Sequence, residues 1–373
     1  MKWIFWIAAA LIGYADVGYL LWLWVRSRWS PRPVRRGAVE PSVSAVLVVR
    51  NEAAEIARKI ENLLALDYPA EKLEIVVISD GSTDGTAAIL QDFASSPRLQ
   101  VVLKPSPRGK AARLNDAMKL ASGEIVLFTD ARQKIELCAL RHLVENFADG
   151  EVGCASGELM LGDPETGEAG KGMGLYWRIE KKIRELESAS GSVVGATGAI
   201  YCARRALLDP LPEGTLNDDE LLPLQVVRKR WRVVFDARAR AWDAPNLGQS
   251  REFSRKVRTL SGNYQLLQLA PWLLTAKNPI RFEFVSHKLL RLAVPFALLA
   301  ILLTPLFLPQ LFYRAALAAQ LALYCLSLAA MVGVKTGPLE RVADVARTFV
   351  VLNAAAVVAF VHFVTGRKII WIR

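Results

Sequence analysis

The sequence is poor in cysteine and histidine. Both residues bind zinc in proteins, and cysteine alone forms disulfides. Its 373 residues include only four cysteines and three histidines. The cysteines form no CxxC pair, and the histidines show no metal-ligand spacing. No Ser-His-Asp arrangement of the kind that activates a hydrolase nucleophile is visible either. The sequence therefore predicts no zinc site, no disulfide framework and no serine hydrolase.

Acidic residues are also too few to balance the basic ones, which leaves a net charge of +11. A basic excess can indicate nucleic acid binding, but many of these residues flank apolar segments, where anionic lipid is the simpler partner. We therefore expect membrane lipids and no nucleic acid. A hydrophobic content of 53% allows one soluble domain and a separate membrane-embedded part.

Four apolar windows are candidates to span a membrane. They are Trp3 to Val25, Ala293 to Phe312, Ala315 to Val334 and the shorter Thr348 to Thr365. The first window also fits a signal peptide, but arginines and prolines follow it instead of a small-residue cleavage site. We interpret it as an anchor.

The basic residues around the anchor predict its orientation. Only Lys2 precedes it, whereas Arg26, Arg28, Arg32, Arg35 and Arg36 follow it. The positive-inside rule then places the middle domain in the cytoplasm of a multi-pass inner (cytoplasmic) membrane protein. Four spans would leave the basic C-terminal tail outside, which conflicts with the rule, so one apolar window is expected not to cross.

The chain divides into four predicted segments. These are an anchor and basic linker (1–38), a catalytic domain (39–247), an amphipathic interface region (248–288) and C-terminal transmembrane helices (289–373). In the catalytic domain, predicted strands at 42–49, 73–79, 99–103 and 124–129 alternate with helical patterns. This alternation predicts an α/β domain with a mostly parallel, doubly wound sheet.

Polar residues end three of these strands, namely Asn51, Asp80 and Asp130. In parallel sheets, ligands bind beyond the carboxyl ends of strands, so the three are expected to converge. A polar, glycine-rich loop at 162–174 is expected to border the same site.

Asp218 and Asp219 crowd carboxylates at a predicted helix start, which suits a general base. Asp80 and Asp84 are placed to grip a nucleoside, and Asp130 to hold Mg²⁺ or Mn²⁺ against phosphates. Each aspartate taken alone is more often a cap or turn residue. Together they predict chemistry on a nucleotide-sugar diphosphate.

The order of motifs resembles the membrane-bound family 2 glycosyltransferases, the group that includes cellulose synthase, hyaluronan synthase and poly-N-acetylglucosamine synthase. The resemblance covers nearly the whole chain. The motifs are Val48-Val49-Arg50-Asn51-Glu52, Ser79-Asp80-Gly81-Ser82-Thr83-Asp84, Gly109 to Asn115, Thr129-Asp130-Ala131-Arg132, Gly195 to Ala199 and Asn217-Asp218-Asp219.

The resemblance implies a glycosyltransferase A-type (Rossmann-like) cytoplasmic domain with transmembrane α-helices, and an inverting transfer. It implies that Asp219 is the base, with Asp218 beside it, and that Asp130 is the first carboxylate of the metal-binding DxD motif. The nucleotide contacts it implies are Arg50, Glu52, Asp80, Lys110, Asp130 and Arg132. Gly195, Thr197 and Gly198 resemble the loop beneath the acceptor sugar, although a plain tight turn is the alternative.

Two motifs depart from the family pattern. Arg132 replaces the second DxD carboxylate, so either another group completes the metal site, or Arg132 neutralises the diphosphate, or it points to solvent. Arg255-Lys256-Val257-Arg258-Thr259 is the best match to the family's Gln-x-x-Arg-Trp motif, because Gln225 to Trp231 begins only six residues after Asp219. Arg255 and Arg258 are candidates for diphosphate binding or for a basic face against lipid.

The predicted enzyme transfers a sugar, most simply from a UDP-sugar, to a lipid-linked or growing glycan acceptor in envelope or exopolysaccharide synthesis. Loss of the motif's tryptophan removes a stacking platform for a polymer, which favours single addition to a polyprenyl phosphate as the alternative. A degenerate nucleotide-binding scaffold is a second alternative. The hypothesis of a passive channel for polysaccharide has little support, because few ionisable residues lie within the predicted spans.

Overall fold

The computed structural model describes residues 1–162, 175–243, 249–334 and 337–367. The predicted loop at 162–174 lies almost wholly outside these residues. The helices are α1 (Lys2–Gly13), α2 (Tyr19–Trp29), α3 (Ile56–Leu64), α4 (Thr86–Asp92), α5 (Lys110–Leu120), α6 (Ala139–Val144), α7 (Leu175–Ser190), α8 (Asp218–Arg228), α9 (Gln249–Leu269), α10 (Arg281–Phe284), α11 (Leu290–Leu303), α12 (Leu311–Met331) and α13 (Glu340–Val364).

Eight strands complete the described structure. They are β1 (Val43–Val49), β2 (Leu73–Asp80), β3 (Leu99–Lys104), β4 (Ile125–Phe128), β5 (Lys134–Ile135), β6 (Val152–Leu161), β7 (Tyr201–Arg204) and β8 (Arg232–Asp243). They form one sheet in the order β3-β2-β1-β4-β7-β6-β8-β5.

The sheet is mixed, and this qualifies the prediction of a mostly parallel sheet. The pairs β2–β3, β1–β2, β1–β4 and β6–β8 are parallel, as alternating strands and helices require. However, β7 is antiparallel to both of its neighbours, and β5 is antiparallel to β8. The parallel half is the part whose strands the sequence predicted.

The core of the α/β unit explains why β1 reads as a continuous apolar run. All seven residues of β1 are buried, because helices cover both faces of a central parallel strand. On one face, Leu47 packs with Ile60 of α3 and Leu143 of α6 in a large apolar cluster. This packing fixes the edge of the sheet where β1, β2 and β4 end.

The chain separates into two compact units. The α/β unit runs from Val25 through β8 and includes a short turn of 3₁₀ helix, Pro271–Leu274. The helical unit contains α1, the start of α2, most of α9, and α10 to α13. The predicted interface region at 248–288 is therefore divided between the two units.

Four helices are long and apolar enough to cross a membrane: Lys2–Trp29, Arg281–Phe307, Leu311–Met331 and Gly337–Val364. The predicted spans are confirmed as candidates, and the last is longer than its apolar window indicated. Within this unit the Tyr14 hydroxyl hydrogen bonds to Ser286 Oγ at 2.8 Å. The positive charge of Arg291 interacts with the carboxylate of Asp16. An ionisable group within a candidate span requires such a partner.

Candidate active site

The carboxyl ends of β1, β2 and β4 lie side by side at one edge of the sheet. Val49 pairs with Ser79, and Val46 pairs with Phe128. The residues that follow these strands are therefore brought together, as the sequence predicted. Asn51, at the end of β1, has a positive φ of 55°, which asparagine tolerates better than most residues.

The turn after β1 is tied to the turn after β2. Asn51 Oδ1 accepts a hydrogen bond from Thr83 N at 2.8 Å, and Glu52 N donates to Thr86 Oγ1 at 2.9 Å. Asp84 accepts from Ala53 N at 3.1 Å, so it acts here as a turn residue. These bonds hold Arg50 and Glu52 at the sheet edge.

Arg50 and Glu52 remain predicted nucleotide contacts. Arg50 is half-buried, and its Nε is buried without a hydrogen-bond partner in the described part of the chain. A buried donor of this kind is costly unless a ligand satisfies it. Glu52 is 8% exposed and has other interactions within the protein.

Asp80 is fully buried, and both of its oxygens are used within the protein. Oδ1 accepts from Arg108 N at 2.8 Å and from Arg113 Nε at 2.6 Å, and Oδ2 accepts from Gly109 N at 2.8 Å. Asp80 therefore fixes the loop that leads into α5. Its direct contact with a nucleotide stays a prediction.

Gly81 shows how closely that loop approaches the strand. Its φ is +63°, and an added Cβ would lie 2.7 Å from Pro107 N. No other residue fits this position without moving the loop. The loop carries Lys110, the first residue of α5, to the centre of the site.

Lys110 forms ion pairs with two of the predicted acidic site residues. Its Nζ lies 2.9 Å from Asp130 Oδ1 and 3.1 Å from Asp218 Oδ2. Burial opposes the lysine charge, but Asp130, Asp218 and Asp219 together hold the pKa of Lys110 well above its usual value. Lys110 is therefore a fixed cation among three carboxylates.

Asp219 lies in the same group of charged residues, at the start of α8. Its Oδ2 accepts a hydrogen bond from Gly198 N at 3.0 Å. Burial, together with the negative charges of Asp218 and Glu220, raises the pKa of Asp219 to about 7. A carboxylate with this pKa is well matched to take a proton near neutral pH.

Gly198 lets the loop approach two carboxylates closely. A Cβ added there would lie 3.2 Å from Asp219 Oδ2 and 3.5 Å from Asp130 Oδ2. The loop is held by Ala196 N, which donates to Asp219 O at 2.8 Å, and by Thr197 N, which donates to Ser156 Oγ at 3.1 Å. Gly195 packs against Glu220. The structure thus brings this loop, Asp130 and Asp219 together.

Arg132 does not point freely into solvent. Its Nη2 donates to Asp243 Oδ2 at 2.6 Å, and Gln133 Nε2 donates to the same oxygen at 3.0 Å. Asp243 ends β8 and was not among the predicted residues. Little in the sequence signalled it, because β8 contains charged residues such as Asp236 and Arg238 and lacks the continuous apolar run that marks β1 and β2.

Arg255 and Arg258 are the predicted residues that the structure places in the other unit. Both lie on α9 and are half-buried. Their contact with a diphosphate stays a prediction. Gln225 and Arg228 lie on α8 with Asp219, which agrees with excluding them from the family's Gln-x-x-Arg-Trp motif.

The hard oxygen donors of the Asp130 carboxylate fit a divalent cation. Among the described residues, no three His, Cys, Asp or Glu side chains are grouped so as to hold a metal by themselves. Mg²⁺ and similar ions are commonly held by one or two carboxylates together with substrate phosphates. The residues present therefore fit a metal that binds along with a diphosphate.

A sequence profile of Glycosyl transferase family 2 matches residues 44–210, which contain β1 to β7 and most of the site. The chain has a family 2 glycosyltransferase domain. The resemblance of its motifs to this family is thereby confirmed. Asp218 and Asp219 lie just beyond the matched residues.

Curated relatives agree with this assignment. A beta-monoglucosyldiacylglycerol synthase from Synechocystis is 26% identical over 62% of this chain and 50% of its own length. A poly-beta-1,6-N-acetyl-D-glucosamine synthase from Staphylococcus epidermidis is 25% identical over 62% of this chain and 56% of its own length. The matched part of the chain thus spans about half the length of these relatives.

A solved structure shares the fold over nearly the entire chain. The mannosyltransferase from Pyrobaculum calidifontis, solved with GDP-Man and Mn²⁺, has a TM-score of 0.73, with 24% identity over 98% of this chain and all of its own. The predicted glycosyltransferase A-type fold is confirmed, and it is joined by apolar helices that could cross a membrane.

Proposed function

We propose that this protein is an inverting glycosyltransferase of the membrane that moves a sugar from a nucleotide-sugar to a lipid-linked or growing glycan acceptor. The observation that carries the proposal is the placement of Asp130 and Asp219 beside Gly198, with Lys110 paired to Asp130. A cation, a metal-binding carboxylate and a base with raised pKa there meet the needs of glycosyl transfer.

Asp219 takes the proton from the acceptor hydroxyl as that oxygen attacks the anomeric carbon. Lys110, and Arg132 steered by Asp243, supply positive charge for the departing nucleoside diphosphate. Asp130 would hold Mg²⁺ or Mn²⁺, which adds Lewis-acid stabilisation of the diphosphate when bound. Arg50 and Glu52 border the nucleotide.

A UDP-sugar is the proposed donor. The relatives that make a glycolipid and a polysaccharide, and the fold relative solved with GDP-Man, make both nucleotides worth testing. We place the enzyme in the inner membrane with the α/β unit on the cytoplasmic side, as the arginines after α1 support.

Single addition to a lipid is the favoured form of the activity. The sequence of α9 has Thr259 where processive synthases of the resembling family carry tryptophan, so a stacking surface for a polymer is missing. The acceptor would then be a polyprenyl phosphate or another lipid, and the product would carry one added sugar.

The test uses the full-length protein in lipid nanodiscs with Mn²⁺. A panel of UDP-sugars and GDP-sugars is incubated with diacylglycerol, polyprenyl phosphate or short glycans, and products are identified by mass spectrometry. We expect turnover with one donor and a product one sugar heavier. Binding of a nucleotide without turnover of any donor would instead support the scaffold alternative.

A further inference from the structure

Lys59 is a buried lysine next to the candidate site. It has no part in the proposed transfer reaction. It lies on α3 and is 2% exposed. Its Nζ donates to Thr129 Oγ1 and to Gln133 O, both at 2.8 Å. The two acceptors lie on either side of Asp130 in the sequence.

A buried ammonium group with neutral acceptors is energetically costly. Burial lowers the pKa of Lys59 to about 7, and the negative charge of Asp130 opposes that effect. A methionine would fill similar space without this cost. The lysine is therefore better explained by the bonds it makes than by packing.

The hydrogen bonds continue from Lys59 to the glycine loop. Thr129 Oγ1 accepts from Lys59 and donates to Ala199 O at 2.8 Å. Ala199 follows Gly198, whose backbone N–H donates to Asp219. One side chain on α3 is thus connected to the turn that carries Asp130 and to the loop that contacts the base.

Neighbours of Lys59 on α3 strengthen the same attachment. Arg58 Nη2 donates to Arg132 O at 3.2 Å. Asn62 exchanges two hydrogen bonds with the backbone of Ile135, each 2.8 Å long. The segment from Thr129 to Ile135 is therefore fixed to α3 at several points, and Lys59 is the one nearest to Asp130.

We propose that Lys59 is a positioning residue which, through Thr129, fixes the Asp130 turn against the Gly198 loop and so sets the separation of the metal-binding carboxylate from the base. This inference rests on the proposed function. A helix outside the sheet edge thereby determines the geometry of the site.

The test compares wild type with Lys59→Met. We expect faster amide hydrogen exchange in peptides covering 128–135 and 195–200. We also expect roughly 10-fold weaker Mn²⁺ binding, measured by electron paramagnetic resonance with UDP or GDP, and roughly 10-fold lower kcat, with a smaller change in donor KM. Thr129→Val breaks the same connection without touching Lys59, and Thr129→Ser should recover most of the loss.

Ile60→Val is the matched control, since Ile60 is buried on the same helix but faces the apolar core. It should lower Tm without changing exchange near Asp130 or Mn²⁺ affinity. Wild-type exchange and Mn²⁺ affinity in Lys59→Met, or the same losses in Ile60→Val, would overturn the proposal. If Lys59→Met does not fold, Thr129→Val decides. Absence of nucleotide binding and transfer in wild type would instead refute the proposed function, and hydrogen exchange would still decide the role of Lys59.

Discussion

At the level of single residues, Asp219 combines three features that a general base needs. It is positioned by the Gly198 N–H, it lies close to Gly198, where a larger residue would crowd its carboxylate, and its pKa is raised to about 7. Lys110 supplies a cation nearby, and it pairs with Asp130 and Asp218. The proposed base and the proposed anion-binding group are thus separate side chains.

Asp219→Asn should abolish proton removal while leaving nucleotide affinity nearly unchanged. The amide keeps the shape and can still accept from Gly198, but it is not a base. We expect kcat to fall about 10²- to 10⁴-fold. Calorimetry with UDP and GDP gives the affinity, and Asp92→Asn on the exposed face of α4 is the control. Equal loss of nucleotide binding would show that Asp219 contacts the donor.

The pH dependence of transfer should follow Asp219. A base must be deprotonated, so kcat/KM should fall as pH drops below about 7, the value to which the pKa is raised. Asp218→Asn removes the neighbouring negative charge, which lowers the pKa of Asp219 and moves this acid limb to lower pH. Rate profiles at fixed Mn²⁺ measure the shift. A limb that stays in place or moves to higher pH would contradict the assignment.

At the level of elements, Asp80 joins the end of β2 to the start of α5. The carboxylate receives two backbone N–H groups and the Arg113 guanidinium, whose side chain is only 4% exposed. The sequence indicated that a polar residue should stand at this strand end. It did not indicate that both oxygens of this residue would accept hydrogen bonds within the protein and so fix the loop that carries Lys110.

Asp80→Asn should destabilise the fold, because among the described residues it leaves the buried Arg113 charge with Asp116 as its charged partner. We expect a loss of about 3 kcal/mol in the free energy of unfolding, measured by chemical denaturation. Glu213→Gln removes the exposed partner of Arg108 and should cost less than about 1 kcal/mol. Similar losses in both variants would mean that burial of the Asp80 pair contributes little.

The strands that the sequence did not predict are β5 to β8, which form one half of the sheet. β5 has two residues and β7 has four, which is too short for a recognisable periodicity. β6 and β8 are long, but glycines interrupt β6 and charged residues interrupt β8, so neither shows a continuous apolar run. β7 exists because Tyr201 pairs with Phe128 and Ser156 across long stretches of sequence. Its antiparallel direction is what brings the Gly195–Gly198 loop to the end of β4.

At the level of the whole molecule, apolar helices flank the α/β unit in sequence on both sides. These helices are long and apolar enough to cross a membrane, and the α/β unit lies between the first and the second of them in sequence. The side of the membrane that the α/β unit occupies can be tested directly.

Cys138 is an exposed thiol on the α/β unit, whereas Cys154 and Cys202 are buried. In a Cys325→Ala background, a membrane-impermeant maleimide should label Cys138 only after cells are permeabilised. Lys2→Cys in a chain that also lacks Cys138 is the control, and it should react in intact cells. Labelling of Cys138 in intact cells would place the domain outside.

The sequence by itself determined the family, the candidate spans and the residues at the strand ends, because strand periodicity, apolar length and motif order are local properties. Only the tertiary structure decided how those residues divide their tasks. Asp80 binds Arg113 and the loop before α5, Arg132 pairs with Asp243, and Lys59 donates to Thr129 beside Asp130. Each of these contacts joins residues far apart in the chain, and burial sets both their partners and their charge states.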